Sequence, residues 1–320
     1  MLKKITFLLL VSLLGLAACA APAAASQPTD AADPTSAQAA GGNTASLTPV
    51  AASENTQPTA AETRLPRGNH PADWRDYPVV PEFSETAIQI YLRGVANGND
   101  PQHFSKIGDC QNITTYFLSA LEDPRFHSLG EEYAYLQETI DWYFGSYSRD
   151  SLAVAGGLNV GRLLSPLAAN QQMCDPTENS LMCEVRHFNP SVVLVSLEEN
   201  WNDRGAEEYG KHLRTIVDYL IAEGVVPILA TKADNLEGDH SINAEIASVA
   251  AEYDLPLWNF WRAVQGLPNN GVEDDGFHLT VSGPYFDDPA RMKSGWAWRN
   301  LTALQTLDAF RQAVTAAQGD

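Results

Sequence analysis

The chain has 320 residues, a formal net charge of −20 and 44% hydrophobic residues. Nothing in so acidic a composition favours nucleic-acid binding, which requires basic patches, and an acidic surface would be repelled by anionic lipid headgroups. Any attachment to a membrane therefore needs an anchor that is separate from the surface of the folded part.

The first twenty residues have the order of a bacterial export signal. Lysines at 3–4 precede an apolar run over 5–16, which is shorter than the roughly 20 residues that span a bilayer. The run ends in Leu-Ala-Ala-Cys at 16–19, which resembles the lipobox of lipoprotein precursors. The resemblance implies removal of residues 1–18 and a diacylglycerol on Cys19, which would hold the protein outside the cytoplasm in the bacterial cell envelope. A conventional signal cut at a nearby Ala-x-Ala site is the alternative.

Residues 19–68 are predicted to form a disordered stalk that carries the lipid. From residue 20 onward they are mostly Ala, Pro, Ser, Thr and Gln, with no aromatic residue. Such a composition buries too little apolar surface to offset the entropy of ordering the chain. Aromatic residues begin at Trp74 and Tyr77, so residues 69–320 are predicted to form one folded domain.

Apolar β-branched runs alternate with helical patterns throughout this domain. Strands are predicted at 103–108, 151–155, 191–197, 225–230 and 256–260. Helices are predicted at 84–96, 114–121, 206–223, 242–253 and 296–316. This alternation predicts an α/β fold, a flavodoxin-like three-layer α/β/α sandwich with a central parallel sheet of about five strands.

Candidate catalytic residues stand in loops after the predicted strands, where open parallel sheets place their sites. Asp275 is three residues before His278, so it can accept a hydrogen bond from one imidazole nitrogen and leave the other as a base. By itself this pair is a weak signal, because short Asp/His pairs often only satisfy each other. Cys110 follows the first strand, at a strand-to-helix turn whose N–H groups would face a developing oxyanion.

The order of these motifs over 104–280 resembles the SGNH, or GDSL, hydrolase family. Gly-Asp-Cys at 108–110 stands where members carry Gly-Asp-Ser, which puts Cys110 in the place of the nucleophilic serine. Residues 275–278 match the family's Asp-x-x-His block. The resemblance implies cleavage of a small-molecule or carbohydrate acyl ester, O-acetyl groups among them, by a Cys/His/Asp triad without a metal or other cofactor.

The same resemblance implies the oxyanion hole, which would also use the backbone N–H of the nucleophile. Gly157 matches the family's second block, with Gly156 as a one-residue alternative. Asn200 matches the third block, and Asn-Asp at 202–203 is a less favoured register. In this third block Glu198 replaces the family's glycine.

The exchange of serine for cysteine leaves more than one function open. A thiolate at Cys110, stabilised by the helix N-terminus and by His278, would attack an ester and form a thioester. In the alternative, the site is vestigial and the fold is a cell-surface binding protein, in which Cys110 is only a compact hydrophobe. The charges of Glu198 and Glu199 beside the oxyanion hole favour that alternative. An acyltransferase with a sugar hydroxyl as acceptor is the third possibility, and the sequence gives no oligomeric state.

Two further cysteines, Cys174 and Cys183, lie nine positions apart in what is predicted to be a polar loop. Outside the cytoplasm a disulfide is the default for such a pair, with a contribution of about 2.5–3 kcal/mol to stability. A zinc site is less favoured because no second pair of ligands lies nearby. The aromatic residues within 258–261 and 296–298 are predicted to be core or pocket wall more than the floor of a sugar site.

Overall fold

The computed structural model describes residues 73–197 and 205–319. The predicted signal and stalk, with the lipidation site Cys19, lie outside the described residues. The same is true of Asn200 and of the neighbouring Glu198 and Glu199.

A parallel sheet of four strands forms the centre of the described domain. Its strands are β1 (Asp100–Gly108), β2 (Pro190–Ser196), β3 (Val226–Ala230) and β4 (Leu257–Trp258), hydrogen-bonded in the order β1-β2-β3-β4. Every residue of β2 and β3 is buried. Strands covered on both faces need apolar side chains on both, which explains their uninterrupted apolar sequences.

The strand predicted at 151–155 is reduced to a single bridge. Val154 pairs in parallel with Gly108, whose N–H donates to Ala153 O at 3.1 Å while its carbonyl accepts from Ala155 N–H at 3.2 Å. The segment therefore occupies the position of a fifth strand beside β1 without extending the pairing. With the bridge counted as the second strand, the spatial order is 2-1-3-4-5, which is the flavodoxin-like arrangement.

Helices cover the sheet in two packing groups. In chain order they are α1 (Glu85–Ala96), α2 (Gln137–Trp142), α3 (Val160–Leu163), α4 (Ser180–Phe188), α5 (Gly205–Ala222), α6 (Ser241–Tyr253), α7 (Phe260–Val264) and α8 (Gly295–Gly319). Helices α1 and α2 pack on α8, whereas α3 and α6 pack on α5. The protein is thus the predicted α/β/α sandwich, and none of its described helices is both long and apolar enough to span a bilayer.

Side-chain hydrogen bonds decide where several elements begin. Ser84 caps α1 by accepting from Ala87 N–H at 3.3 Å, as its position in the sequence predicts. Asn179 caps α4, a helix that starts inside the segment we expected to be a polar loop. Asn259 caps α7, so β4 ends at Trp258 and the strand predicted over 256–260 is shorter.

The helix predicted at 114–121 is wrong. The chain there forms turns and a 3-10 helix at Ser119–Glu122, preceded by Leu118 in the left-handed region at φ 70°. Leu118 N–H donates to the side chain of Asn300 on α8 at 2.6 Å. The N–H of Leu118 would bond to a carbonyl one turn earlier in a continuous helix, but here it donates to a side chain distant in sequence.

Candidate active site

The nucleophile turn, which we define as residues 109–112, begins where β1 ends. Asp109 Oδ1 accepts from Gln111 N–H at 2.8 Å and caps a three-residue 3-10 helix, Cys110–Asn112. Cys110 is half-buried, and among the described cysteines it stands outside the disulfide. The predicted α-helix after Cys110 is absent from this turn, so the turn offers local N–H groups without the aligned peptide dipoles of a long helix.

Gly108 is required at the end of β1 by close packing. A Cβ at this position would lie 1.8 Å from Asn112 Nδ2 and 2.4 Å from Ser196 O. The same Asn112 Nδ2 donates to Ser196 O at 2.9 Å. The glycine of the Gly-Asp-Cys motif therefore lets the nucleophile turn fold back onto the end of β2.

The catalytic turn, which we define as residues 275–278, holds its imidazole on a carboxylate. Asp275 Oδ2 lies 2.6 Å from His278 Nδ1, and Asp275 Oδ1 accepts from the N–H groups of Phe277 and His278 at 2.9 Å each. Gly276 permits the tight turn at φ +74°. The geometry makes Nδ1 the donor and leaves Nε2 as the basic nitrogen of the neutral ring.

Hydrogen bonding also fixes the charge of Asp275. The bond from His278 first, and the N–H of Phe277 second, lower the pKa of Asp275 to about 2. The carboxylate is therefore ionised across the neutral range. The His278 side chain is 57% exposed, so its hydrogen bond with Asp275 is in contact with solvent.

Gln111 joins the two turns. Its Nε2 donates to Phe277 O at 3.2 Å, and the residue is only 4% exposed. The residue after Cys110 is thus bonded to the residue before His278. Sequence reasoning missed Gln111, because the only available signal was a polar residue adjacent to a motif.

Arg299 of α8 is hydrogen-bonded to the nucleophile turn. Its guanidinium is fully buried and donates to Gln111 O at 2.9 Å and to Asn112 Oδ1 and Ser196 Oγ at 3.1 Å each. The same group stacks on three aromatic rings, those of Phe117, Trp258 and Phe260. An arginine within a long helix gives no sequence signal for such a role.

Asp109, in the nucleophile turn, belongs to a group of buried charged residues. Burial raises the pKa of Asp109 to about 6, and the N–H of Gln111 and the charge of Arg299 offset only part of this effect. Asp234 and Lys232, which follow β3, lie close enough to act on the same carboxyl. The ends of β1 and β3 therefore share one electrostatic environment.

The remaining oxyanion candidates stand as predictions. Gly157 is exposed and adopts φ +72°, two residues beyond the Ala155 that bonds to Gly108. The bridge thus brings the segment that carries Gly156 and Gly157 to the end of β1, which Cys110 follows in the chain. Asn200 lies outside the described residues.

Cys174 and Cys183 form the disulfide that the sequence predicts, with Cα atoms 5.3 Å apart. Glu178 lies beside them and is ion-paired with Arg186 at 2.5 Å. The two sulfurs are bonded to each other, so neither is a thiolate ligand in this state. The aromatic residues Trp258, Phe260 and Trp296 belong to the buried core, in line with their predicted role.

Two cavities are lined by residues of the catalytic turn or of segments that follow the two turns. The larger, about 690 Å³, lies between the segment 115–126 that follows the nucleophile turn and the segment 281–285 that follows the catalytic turn. The smaller, about 240 Å³, is lined by Asp234, His240 and Gly276 among others, and so borders the catalytic turn from the side of β3.

No family model matches the sequence, and no curated protein matches it. Solved structures with a similar arrangement include a GDSL-like lipase from Bacteroides thetaiotaomicron VPI-5482, at 16% identity and a TM-score of 0.41, covering 73% of this chain and 100% of the other. A psychrotrophic esterase from Pseudoalteromonas sp. has 14% identity and a TM-score of 0.39, with 67% and 99% covered. A mutant acetyl-xylooligosaccharide esterase from Geobacillus Stearmophilus has 15% identity and a TM-score of 0.40, with 66% and 94% covered.

Proposed function

We propose that this chain is an ester hydrolase of the bacterial cell envelope, anchored by lipid at Cys19, that works through Cys110, His278 and Asp275. The observation that carries the proposal is the bond from Gln111 to Phe277, 3.2 Å long, which fixes the nucleophile turn against the catalytic turn. Acyl transfer requires a base that is oriented by a carboxylate and placed near the nucleophile, and this bond between the two turns supports such a placement.

In the first half-reaction, His278 Nε2 accepts the proton of the Cys110 thiol. The sulfur attacks the ester carbonyl carbon, a C–S bond forms, and the carbonyl oxygen becomes an oxyanion. As the intermediate collapses, the C–O bond to the alcohol breaks, and the alkoxide takes the proton from His278. The products are a thioester on Cys110 and the free alcohol.

In the second half-reaction, water replaces the alcohol. His278 Nε2 accepts a proton from water while the oxygen attacks the thioester carbon. The C–S bond then breaks, the carboxylic acid leaves, and the sulfur of Cys110 regains the proton. Asp275 stays ionised throughout because its pKa is about 2, so it orients His278 and balances the charge of the imidazolium.

The proposed oxyanion donors are the N–H groups of Cys110 and Gly157 and the side-chain amide of Asn200. Removal of one such donor typically lowers the rate by about 100- to 1,000-fold. The proposed substrate is a small-molecule or carbohydrate ester, because the exposed His278 admits an acyl group attached to a bulky alcohol.

The test uses the full chain in detergent with 4-nitrophenyl acetate. We expect Cys110→Ala and His278→Gln each to lower kcat/KM by at least about 1,000-fold, as in other triads, while His187→Gln, at an exposed histidine outside the site, leaves it unchanged. Iodoacetamide should label Cys110 and abolish activity, and rapid quenching should trap an acetyl group on the peptide that contains Cys110. Full activity in Cys110→Ala would refute the proposal, and acetyl transfer to an added sugar in excess of hydrolysis would identify an acyltransferase.

The anchor is tested separately by growing cells with radiolabelled palmitate. The wild-type protein should carry the label and sediment with membranes, whereas Cys19→Ala should lose both properties. Equal labelling of the two proteins would refute lipidation at Cys19 and leave the catalytic proposal unaffected.

A further inference from the structure

The larger cavity, of about 690 Å³, is lined by residues that are bonded to the segments leaving both turns of the proposed site. Tyr116 lines it, and its N–H donates at 3.0 Å to the carbonyl of Ile113, the residue that follows the nucleophile turn. Trp296 also lines it, and its N–H donates at 3.2 Å to the carbonyl of Thr280, two residues after His278. The rings of Tyr116 and Trp296 stack with their centroids 5.5 Å apart. The segments that leave the two turns therefore meet at this cavity.

The length of the chain limits how far the cavity can lie from the catalytic base. Val281 lines the cavity and follows His278 by three residues. A peptide chain extends by at most about 3.6 Å per residue, so the Cα atoms of these two residues lie within about 11 Å of each other. A group carried by the ester substrate therefore needs only a short connection to reach the cavity.

Tertiary contacts fix the parts of the chain that form the cavity. Apart from Trp296, the lining residues come from three segments, 115–126, 144–148 and 281–285. Glu122 Oε1 accepts from Gly145 N–H at 2.7 Å and so joins the first segment to the second. Ser128, two residues beyond the first segment, pairs with Tyr285 of the third in a parallel bridge. The cavity is thus formed before a ligand binds, so little ordering of the protein opposes binding.

Several of the lining residues are aromatic side chains with exposed surface. Tyr116 and Phe126 are each 54% exposed, and Phe144 is 67% exposed. Single exposed apolar residues are ordinary, but a contiguous group of them marks a binding site. Any apolar ligand would remove this surface from water. An aromatic ligand would in addition gain about 2- to 10-fold in affinity from each well-placed ring contact, which a saturated ligand does not make.

The charged groups at the cavity are already paired, which disfavours a charged ligand. Of the lining carboxylates, Glu122 accepts backbone N–H groups and Asp123 Oδ1 accepts from Arg125 Nε at 2.9 Å. The guanidinium of Arg291 lies over the lining ring of Tyr285, 4.1 Å from its centroid. A cationic ligand would meet these two guanidinium groups, and an anionic ligand would meet the two carboxylates. An uncharged ligand is therefore favoured.

Hydroxyl groups that line the cavity are also engaged within the protein. Ser148 donates to Glu122, and Ser282 donates to Gly283 O at 3.3 Å. A sugar ring requires several convergent hydrogen-bonding partners, whereas an aromatic ring is held by apolar and ring contacts. The lining therefore suits an aromatic ring better than a sugar.

We propose that this cavity binds one uncharged aromatic ring of the ester substrate, carried on either its acyl or its alcohol side. The connection to catalysis rests on the proposed function, because the ester bond of the same molecule would lie at His278. Binding of the ring does not itself require turnover, so the two proposals can fail separately.

The first experiment measures binding to the full chain in detergent. The probe is 4-fluorophenylacetamide, which is uncharged and has no ester bond, and its signal is followed by fluorine NMR. The competitors are phenylacetamide, its saturated analogue cyclohexylacetamide, and tetramethylammonium chloride. We expect saturable binding that phenylacetamide displaces at a concentration at least about fivefold lower than cyclohexylacetamide, with no displacement by the cation. The detergent takes up the probe equally in all samples, so differences between protein variants report the cavity.

Two variants assign the ring contacts. Phe126→Leu and Phe144→Leu each keep an apolar side chain and remove the ring, so each should weaken binding of the probe by about 2- to 10-fold. The matched control is Tyr135→Leu, at an aromatic residue that is 51% exposed and lies outside this cavity, and it should bind as the wild type does. All three side chains are more than half exposed, so the substitutions should leave the fold intact.

Two pairs of esters locate the ring within the substrate. Methyl phenylacetate and methyl cyclohexylacetate carry the ring on the acyl side, whereas benzyl acetate and cyclohexylmethyl acetate carry it on the alcohol side. The measurement is kcat/KM from the acid released. We expect the aromatic member of one pair to be preferred by at least about fivefold, and Phe144→Leu to reduce that preference.

The proposal would be overturned by the absence of saturable probe binding, by equal displacement with cyclohexylacetamide, by displacement with tetramethylammonium, or by unchanged binding in both phenylalanine variants. The absence of an aromatic preference in both ester pairs would overturn the assignment of the ring to the substrate. Hydrolysis of 4-nitrophenyl acetate without probe binding would remove the ring site and leave the esterase. Probe binding in a protein that hydrolyses no ester would do the reverse.

Discussion

Replacement of Asp109 by asparagine tests the electrostatics under the nucleophile turn. Asparagine keeps an oxygen that can accept the N–H of Gln111, but it cannot ionise. Burial raises the pKa of the native carboxyl from 3.8 to about 6. Between these pH values the folded protein holds a proton that the unfolded chain has lost, so the stability of the native protein falls as the pH rises through this window.

The magnitude follows from the size of the pKa change. A rise from 3.8 to about 6 corresponds to about 3 kcal/mol of lost stability once the pH is well above 6. Roughly two thirds of this loss falls between about pH 4.5 and about pH 7. The free energy of unfolding of Asp109→Asn, relative to the wild type, should therefore increase by about 2 kcal/mol between those pH values.

Urea unfolding followed by circular dichroism at the two pH values gives this difference. A comparison between pH values removes any constant effect of the substitution on capping or on Arg299. The control is Asp123→Asn, because a hydrogen bond from Arg125 lowers the pKa of Asp123 to about 2, so this carboxyl is ionised at both pH values. Its relative stability should stay constant, and a constant or decreasing difference for Asp109→Asn would refute the assignment of a raised pKa to burial.

Two further predictions concern the connection between the turns and the disulfide. Gln111→Ala should lower kcat for 4-nitrophenyl acetate by about 100-fold with KM nearly unchanged, because the bond to Phe277 O that aligns the turns is lost. The control, Gln89→Ala on an exposed face of α1, should have no effect. An unchanged kcat in Gln111→Ala would contradict its positioning role. Replacement of both Cys174 and Cys183 by serine should lower stability by about 3 kcal/mol in urea unfolding, with esterase activity retained, and an unchanged midpoint would contradict the chain-entropy argument.

Much of the fold followed from side-chain periodicity. The run at 191–197 is apolar at nearly every position, and only a strand covered on both faces tolerates that pattern; β2 is indeed buried throughout. The cap at Ser84 was predictable because the hydroxyl and its acceptor role are local. The Asp275–His278 contact was predictable for the same reason, since three residues in a turn suffice to make it.

The predictions that failed, and the contacts that were missed, depend on residues that are distant in the sequence. The helix predicted at 114–121 is prevented by Asn300, which lies about 180 positions away and takes the N–H of Leu118. The contacts from Arg299 to the nucleophile turn and from Gln111 to Phe277 span similar separations in the chain. No pattern within a short window carries such information, so the parts of the site that depend on tertiary hydrogen bonds were beyond sequence analysis.

The proposed site combines a rigid base with an open reacting centre. Arg299, fully buried, is hydrogen-bonded to the nucleophile turn, whereas the His278 side chain is 57% exposed. A centre this open encloses little of a substrate, so the catalytic residues alone can discriminate only weakly between esters of different alcohols. Selectivity for the alcohol then has to come from surfaces beyond the catalytic residues, and the two cavities lined by residues near the turns are the candidates for it.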